Sequence, residues 1–201
     1  MITIALPKGR IAEQTLEKFS KAFGEEFAFE KRKLILEKHG FRFLNVRNQD
    51  VPTYVMYGSA DLGVVGEDVL VEKDYDLLKL LDLGIGKCKV AIGLKKGEKL
   101  DWSKSSIKVA TKHTTIAKQF FESKAMAVEL VKLYGSIELA PLVGLSDCIV
   151  DIVETGETMK QNGLEVGYTI MTSSAQLIAN KNSYYQMKKE IIVLTEKLER
   201  T

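Results

Sequence analysis

Thr3-Ile-Ala-Leu6 is a short apolar run that stops at Pro7-Lys-Gly-Arg10, and beyond it Ile11, Thr15, Phe19, Ala22 and Phe23 recur at the spacing of one helix face. A strand, a loop carrying glycine and cations, and an amphipathic helix form the unit from which parallel α/β folds are assembled. The alternation continues outward from there. Phe41 to Val46 reads as the next strand, Val51 to Tyr57 as a short helix, Ala60 to Val65 as a buried strand and Leu77 to Leu83 as another. A strand from Lys87 to Leu94 then meets Lys95-Lys-Gly-Glu98, a turn suited to a change of domain.

A second α/β run follows. Strands are expected at Ile107 to Ala110, Ala127 to Lys132 and Asp147 to Val153, with helices at Thr115 to Ser123, at Ser136 to Val143 and after Thr155. Leu164 to Met171 and Ser174 to Asn180 read as two further strands. Tyr184, Met187, Ile191, Leu194 and Leu198 mark an amphipathic closing helix. The expected fold is α/β, with two α/β lobes around a cleft, similar to that of periplasmic binding proteins. The chain crosses twice between lobes: residues 1–90 with 176–201 form the first, and 91–175 form the second. A cleft between them is the natural ligand site.

Composition narrows the function classes. Of the 201 residues, 45% are hydrophobic and 28% charged, as in an ordinary globular protein. With 29 basic against 27 acidic residues the net charge is +2, so no bulk field points to nucleic acid or an anionic membrane, and any phosphate site must be local. The apolar start reaches Lys8 and Arg10 too soon for a signal-peptide core, which implies a cytoplasmic protein. Cys88 and Cys148 are sixty positions apart and the histidines are His39 and His113, so neither a zinc site nor a disulfide framework is suggested. Structural thiols are expected.

The chemistry concentrates in Asp147-Cys-Ile-Val-Asp-Ile-Val-Glu-Thr-Gly-Glu-Thr158, an apolar strand with acidic residues toward its end that runs into Thr-Gly-x-Thr. At such a junction backbone N–H groups and a helix dipole favour an anion, Gly156 permits close approach, and the Thr155 and Thr158 hydroxyls add donors. Asp151 and Glu154 lie beside the loop, where carboxylates accept hydrogen bonds from ribose hydroxyls or hold Mg²⁺. On Glu154 to Thr158 alone, an ordinary helix N-cap is the favoured description, and the neighbouring stretch reverses that preference. Lys8 and Arg10 follow the first strand and Arg47 follows another, at the carboxyl ends where α/β folds place ligands. Arg32 lies in Glu30-Lys-Arg-Lys33, which also reads as a solvated charge run. Glu67 and Asp68, after Gly63-Val-Val-Gly66, are placed to open a helix.

Tyr134-Gly-Ser-Ile-Glu-Leu-Ala-Pro-Leu-Val-Gly-Leu-Ser-Asp147 leads directly into the loop, and together these stretches resemble the signature region of the ATP phosphoribosyltransferase family. Leu6-Pro-Lys-Gly-Arg10, the run from Val46 to Val55 and Ala60-Asp-Leu-Gly-Val-Val-Gly-Glu-Asp68 extend the resemblance over nearly the whole chain. Ser146 stands where that family usually has alanine. Lys112-His-Thr-Thr115 replaces lysine, tyrosine, proline, asparagine, which leaves His113 without a role.

The resemblance implies transfer of ribose 5-phosphate from phosphoribosyl pyrophosphate to N1 of ATP, the first step of histidine biosynthesis, with Mg²⁺ as cofactor. By the same resemblance Asp151, Glu154, Thr155, Gly156, Glu157 and Thr158 bind phosphoribosyl pyrophosphate. Lys8, Arg10, Arg32 and Arg47 bind ATP, with Lys8, Arg10 and Arg47 also catalytic, and Asp151 and Glu154 hold the metal. Being short, the chain resembles the form that works as a homodimer within a hetero-oligomer, together with a histidyl-tRNA synthetase-like regulatory subunit. Two alternatives stand beside it: a two-lobed binding protein, either a solute receptor or the effector domain of a regulator, which shares the architecture, and a phosphoribosyltransferase for another base, whose sugar-phosphate site would look the same.

Overall fold

The computed structural model describes residues 1–201 and divides into two compact units, Met1–Gly86 with Ser174–Thr201, and Lys87–Ser173. The crossings thus fall after residues 86 and 173, where the sequence placed them after 90 and 175. Cys88 and Ser173 are already paired in the second unit's sheet, and Ala175 is already paired in the first unit's, so the strand ladders set these boundaries.

In the first unit β1 (Ile2–Pro7) leads into α1 (Arg10–Phe23). A hairpin follows, β2 (Ile35–Lys38) and β3 (Phe41–Val46), and then α2 (Val51–Met56). β4 (Leu62–Gly66), α3 (Glu67–Lys73) and β5 (Leu78–Asp82) come next. The returning chain supplies β11 (Ala175–Ala179), α7 (Lys181–Gln186) and α8 (Lys188–Glu199). The sheet order is β2-β3-β1-β4-β11-β5. Alternation along β1 separates two cores. Ile2, Ile4 and Leu6 join Leu16 and Phe19 of α1 and Ile191, Leu194 and Leu198 of α8, whereas Ala5 joins Val51 and Val55 of α2.

The second unit contains β6 (Cys88–Lys95), β7 (Ser106–Thr111), α4 (Thr114–Ser123) and β8 (Ala127–Lys132). α5 (Leu139–Leu142), β9 (Cys148–Val153), α6 (Glu157–Gln161) and β10 (Leu164–Ser173) complete it, with sheet order β10-β6-β9-β7-β8. Ile116, Ala117 and Phe121 of α4 bury against Val109 and Val150, and Ala140 and Met159 of α5 and α6 share a second cluster with Ala91, Ala110 and Ile149. No helix in the chain is long and apolar enough to cross a membrane.

Both sheets are mixed rather than parallel throughout. Only β3-β1-β4 and β9-β7-β8 run parallel, while β2, β11, β6 and β10 pair antiparallel with their neighbours. The hairpin β2-β3 was not anticipated. Its turn is short, with His39 and Gly40 both at positive φ (51° and 77°), the conformation that matches strand twist in two-residue hairpins. The expected helix over 136–143 shrinks to Leu139–Leu142, because left-handed residues bound it on both sides, Ser136 (φ 49°) before it and Gly144 (φ 76°) after it. The closing helix is two helices, broken at Met187 (φ −117°, ψ 32°), the first capped by the Asn180 side chain accepting from the Ser183 N–H at 3.1 Å.

Candidate active site

In the first unit the parallel strands β1 and β3 end side by side, and the Lys8 N–H donates to the Val46 carbonyl at 2.8 Å. Register therefore sets Lys8 beside Arg47. Gly9 then forms the N-cap of α1, so Arg10 opens that helix. Arg47 begins a 3-10 turn over Asn48–Asp50, which its carbonyl closes by accepting from the Asp50 N–H at 2.9 Å. The Asn45 N–H donates to the Leu34 carbonyl at 2.8 Å, which brings the turn carrying Arg32 (φ 64°) to the same sheet edge. Lys8, Arg10, Arg32 and Arg47 are all exposed, and Lys8 and Arg47 enter no ion pair. Lys8 and Arg47 thus offer two exposed cations to an anionic ligand at this edge. Glu67, by contrast, is committed to Lys79 at 2.6 Å, and Asp68 is buried in the first turn of α3.

In the second unit β7 and β9 end together, with Thr111 opposite Val150. Beyond β9 the chain turns through Glu154, Thr155 and Gly156 into α6. Gly156 is left-handed (φ 81°), a conformation that a side chain at this position would strain. The Thr155 hydroxyl accepts weakly from the Glu157 N–H at 3.4 Å, and Thr155 and Thr158 are both exposed. Met159, only 4% exposed, anchors the turn in the core. With five residues, α6 carries little macrodipole, so an anion here would depend on local N–H groups and hydroxyls. Glu157 accepts from the Gln161 amide at 3.2 Å and so lies along α6.

Asp151 occupies β9, and its Oδ1 accepts from the Ile152 N–H at 2.8 Å and from the Lys112 ammonium at 3.2 Å. Lys112 was not among the residues the sequence singled out. The signal for it is topological: β7 and β9 must be recognised as parallel neighbours before the residue after Thr111 is seen to face Asp151. His113 is buried behind it, its N–H donating to the Thr111 hydroxyl at 2.8 Å. No three His, Cys, Asp or Glu side chains converge as a metal cage. Asp151 and Glu154 offer hard oxygens, which suit Mg²⁺ when substrate phosphates and water complete the shell.

Two titratable groups lie at the other end of β9. Asp147 is held below the usual carboxylate range, first by the hydrogen bond from Lys104 (2.8 Å) and then by the Lys108 N–H (2.8 Å). Burial pushes the Cys148 thiol up to about 12, which leaves it protonated and poorly nucleophilic.

Residues 47–200 match the family described as HisG: ATP phosphoribosyltransferase. An ATP phosphoribosyltransferase of Sulfurovum sp. (strain NBC37-1) is 67% identical over 198 residues, covering 98% of this chain and 96% of the relative. One from Wolinella succinogenes is 64% identical over 194 residues, covering 96% and 94%. Among solved structures, the ATP phosphoribosyl transferase (HisG:HisZ) complex from Thermotoga maritima aligns with TM-score 0.84 at 34% identity, over 100% of this chain and 98% of that one. The periplasmic aliphatic sulphonate binding protein SsuA from Escherichia coli aligns with TM-score 0.66 at 12% identity, over 99% and 71%, and shares the fold alone. With a family match over most of its length and relatives at this identity, the chain belongs to the ATP phosphoribosyltransferase family.

Proposed function

We propose that this chain transfers the 5-phosphoribosyl group of phosphoribosyl pyrophosphate to N1 of ATP, the opening step of histidine biosynthesis. The observation that carries this reading, beyond family membership, is the Asp151 to Thr158 segment. Acidic side chains and a glycine-threonine turn share the carboxyl end of one strand there, which suits a sugar bearing both hydroxyls and a phosphate. The turn's N–H groups and the Thr155 and Thr158 hydroxyls hold the 5-phosphate, while Asp151 and Glu154 accept from ribose hydroxyls. Lys8, Arg10 and Arg32 take the triphosphate of ATP, and Arg47 meets the charge that grows on the departing pyrophosphate.

In the reaction the N1 lone pair forms a bond to the anomeric carbon as the bond from that carbon to pyrophosphate breaks. The exocyclic amine then gives up a proton to restore a neutral ring. No strong base is required, in keeping with a site without a nucleophilic thiol. Asp151 and Glu154 would share Mg²⁺ with the substrate phosphates, and the ion would neutralise the leaving group. The chain's contribution is orientation of two substrates and fixed cations facing developing charge.

The chain acts as a homodimer within a hetero-oligomer that includes a histidyl-tRNA synthetase-like regulatory subunit. The hetero-oligomer is supported by the HisG:HisZ assembly of its structural relative and by relatives of nearly the same length. A cytoplasmic location is consistent with its nucleotide substrates. The test mixes the purified chain with ATP, phosphoribosyl pyrophosphate and Mg²⁺, with and without that subunit. Pyrophosphate release and a product of mass equal to ATP plus phosphoribose are expected, and activity should rise on assembly. Pyrophosphate release with a different base acceptor, and none with ATP, would overturn the assignment.

A further inference from the structure

Asp151 has two oxygens in different situations. Oδ1 accepts both the Ile152 N–H at 2.8 Å and the Lys112 ammonium at 3.2 Å, whereas no group of the chain engages Oδ2. The Asp151 side chain is 16% exposed and that of Lys112 31%, so the pair is screened less than the chain's surface pairs and still open on one side. Lys112 is itself well placed. Thr111 before it donates its hydroxyl to the Val150 carbonyl at 2.6 Å and accepts the His113 N–H at 2.8 Å, which ties the end of β7 to β9.

An uncompensated carboxylate at this position would repel a substrate carrying a phosphate and a pyrophosphate. We propose that Lys112 is a positioning residue for the pentose phosphate. By holding Oδ1 and cancelling the charge of Asp151, it presents Oδ2 to a ribose hydroxyl without electrostatic cost to the phosphates nearby. This rests on the assignment of the 151–158 segment to phosphoribosyl pyrophosphate. It adds a residue, and a reason why an acidic side chain is tolerated beside an anion site.

The experiment measures binding of ribose 5-phosphate, without metal or ATP, by calorimetry to the full chain and to Lys112→Met, Lys112→Arg, Asp151→Asn and Lys112→Met/Asp151→Asn, with thermal unfolding as a fold control. Lys112→Met should weaken binding by about tenfold, since a charge-assisted contact is lost and a bare carboxylate is left facing the ligand. Lys112→Arg should stay within about threefold of the parent, because the cation is kept and only its geometry changes. The double variant should bind no worse than Asp151→Asn alone, because Lys112 acts through Asp151. Unchanged binding by Lys112→Met, or a double variant whose loss is the product of the single losses, would overturn the proposal. A parent chain that binds no ribose 5-phosphate would overturn the assignment of the segment as well, so the two failures are distinct.

Discussion

Thr155 and Thr158 flank Gly156 with exposed hydroxyls, and neither is required by the core, since Met159 supplies the anchor. Replacing both by Ala should leave the unfolding midpoint nearly unchanged. The Michaelis constant for phosphoribosyl pyrophosphate should rise by about tenfold or more, given hydrogen bonds to a charged group worth about 1.5–3 kcal/mol each. Steady-state kinetics with ATP saturating make the comparison, and an unaltered constant would remove these hydroxyls from the site. Asp147 ties the start of β9 to Lys104 and the Lys108 N–H. Its folded pKa lies below the ordinary 3.8, so its contribution is complete above that value and is lost as pH falls through the folded value. Asp147→Asn should therefore be less stable than the parent at pH 7, with the difference closing below about pH 4 in urea titrations at stepped pH. The turn from Glu154 to Thr158 after β9 was legible because its residues are contiguous. Lys112 was not, since its partner is 39 residues away and only the β7-β9 pairing brings them together.

Among the elements, α1 shows how a helix both builds the core and carries a candidate site residue at its start. Its inner face inserts Phe19 between Phe41 and Phe43 of β3, with ring centroids 5.3 and 5.0 Å away in edge-to-face contact, and Phe23 and Phe27 lie 5.9 Å off. Its start sets Arg10 beside the end of β1. Phe19→Ala should cost about 3–5 kcal/mol, because the fully buried ring leaves a cavity that four flanking phenylalanines cannot all collapse into. Chemical denaturation of the purified variant checks this, and a loss under about 1 kcal/mol would mean that the cluster repacks freely. The helical spacing of Ile11, Thr15 and Phe19 made α1 readable from sequence. β2 and the shortness of α5 were hidden for local reasons: a two-residue turn at His39-Gly40, and left-handed residues at Ser136 and Gly144 on either side of α5. The break at Met187 escaped notice because Tyr184, Met187 and Ile191 keep helical spacing across it, so the apolar pattern continues where the backbone does not.

At the scale of the whole molecule, one unit is continuous in sequence and the other is not. The second unit begins and ends at paired residues, since Cys88 lies opposite Ser173 in the β6-β10 ladder. The chain leaves and re-enters at one point, as an inserted domain does. The first unit is closed there by its own bonds, with the Leu83 N–H donating to the Ala175 carbonyl and the Ala175 N–H to the Ile85 carbonyl, both at 2.9 Å. Its dependence on the returning segment is deep. β11 lies between β4 and β5 rather than at an edge, and Ile191, Leu194 and Leu198 of α8 are buried in the same cluster as Phe19. Two excised pieces should therefore behave differently. Residues 87–173, with two hydrophobic clusters of their own, should fold to a monomer with a cooperative melt and still bind ribose 5-phosphate, because the 151–158 turn and Lys112 are both within it. Residues 1–86 should fail to fold, since two strands lose their shared neighbour and α1 loses its cover. Joining residue 86 to residue 174 through a short Gly-Ser linker should restore a folded first unit, because the bonded pairs around Ile85 and Ala175 already hold the two ends together. Circular dichroism melts and amide exchange on the three proteins decide it. A stable 1–86 fragment, or an 87–173 fragment that melts without cooperativity, would contradict this division of the chain.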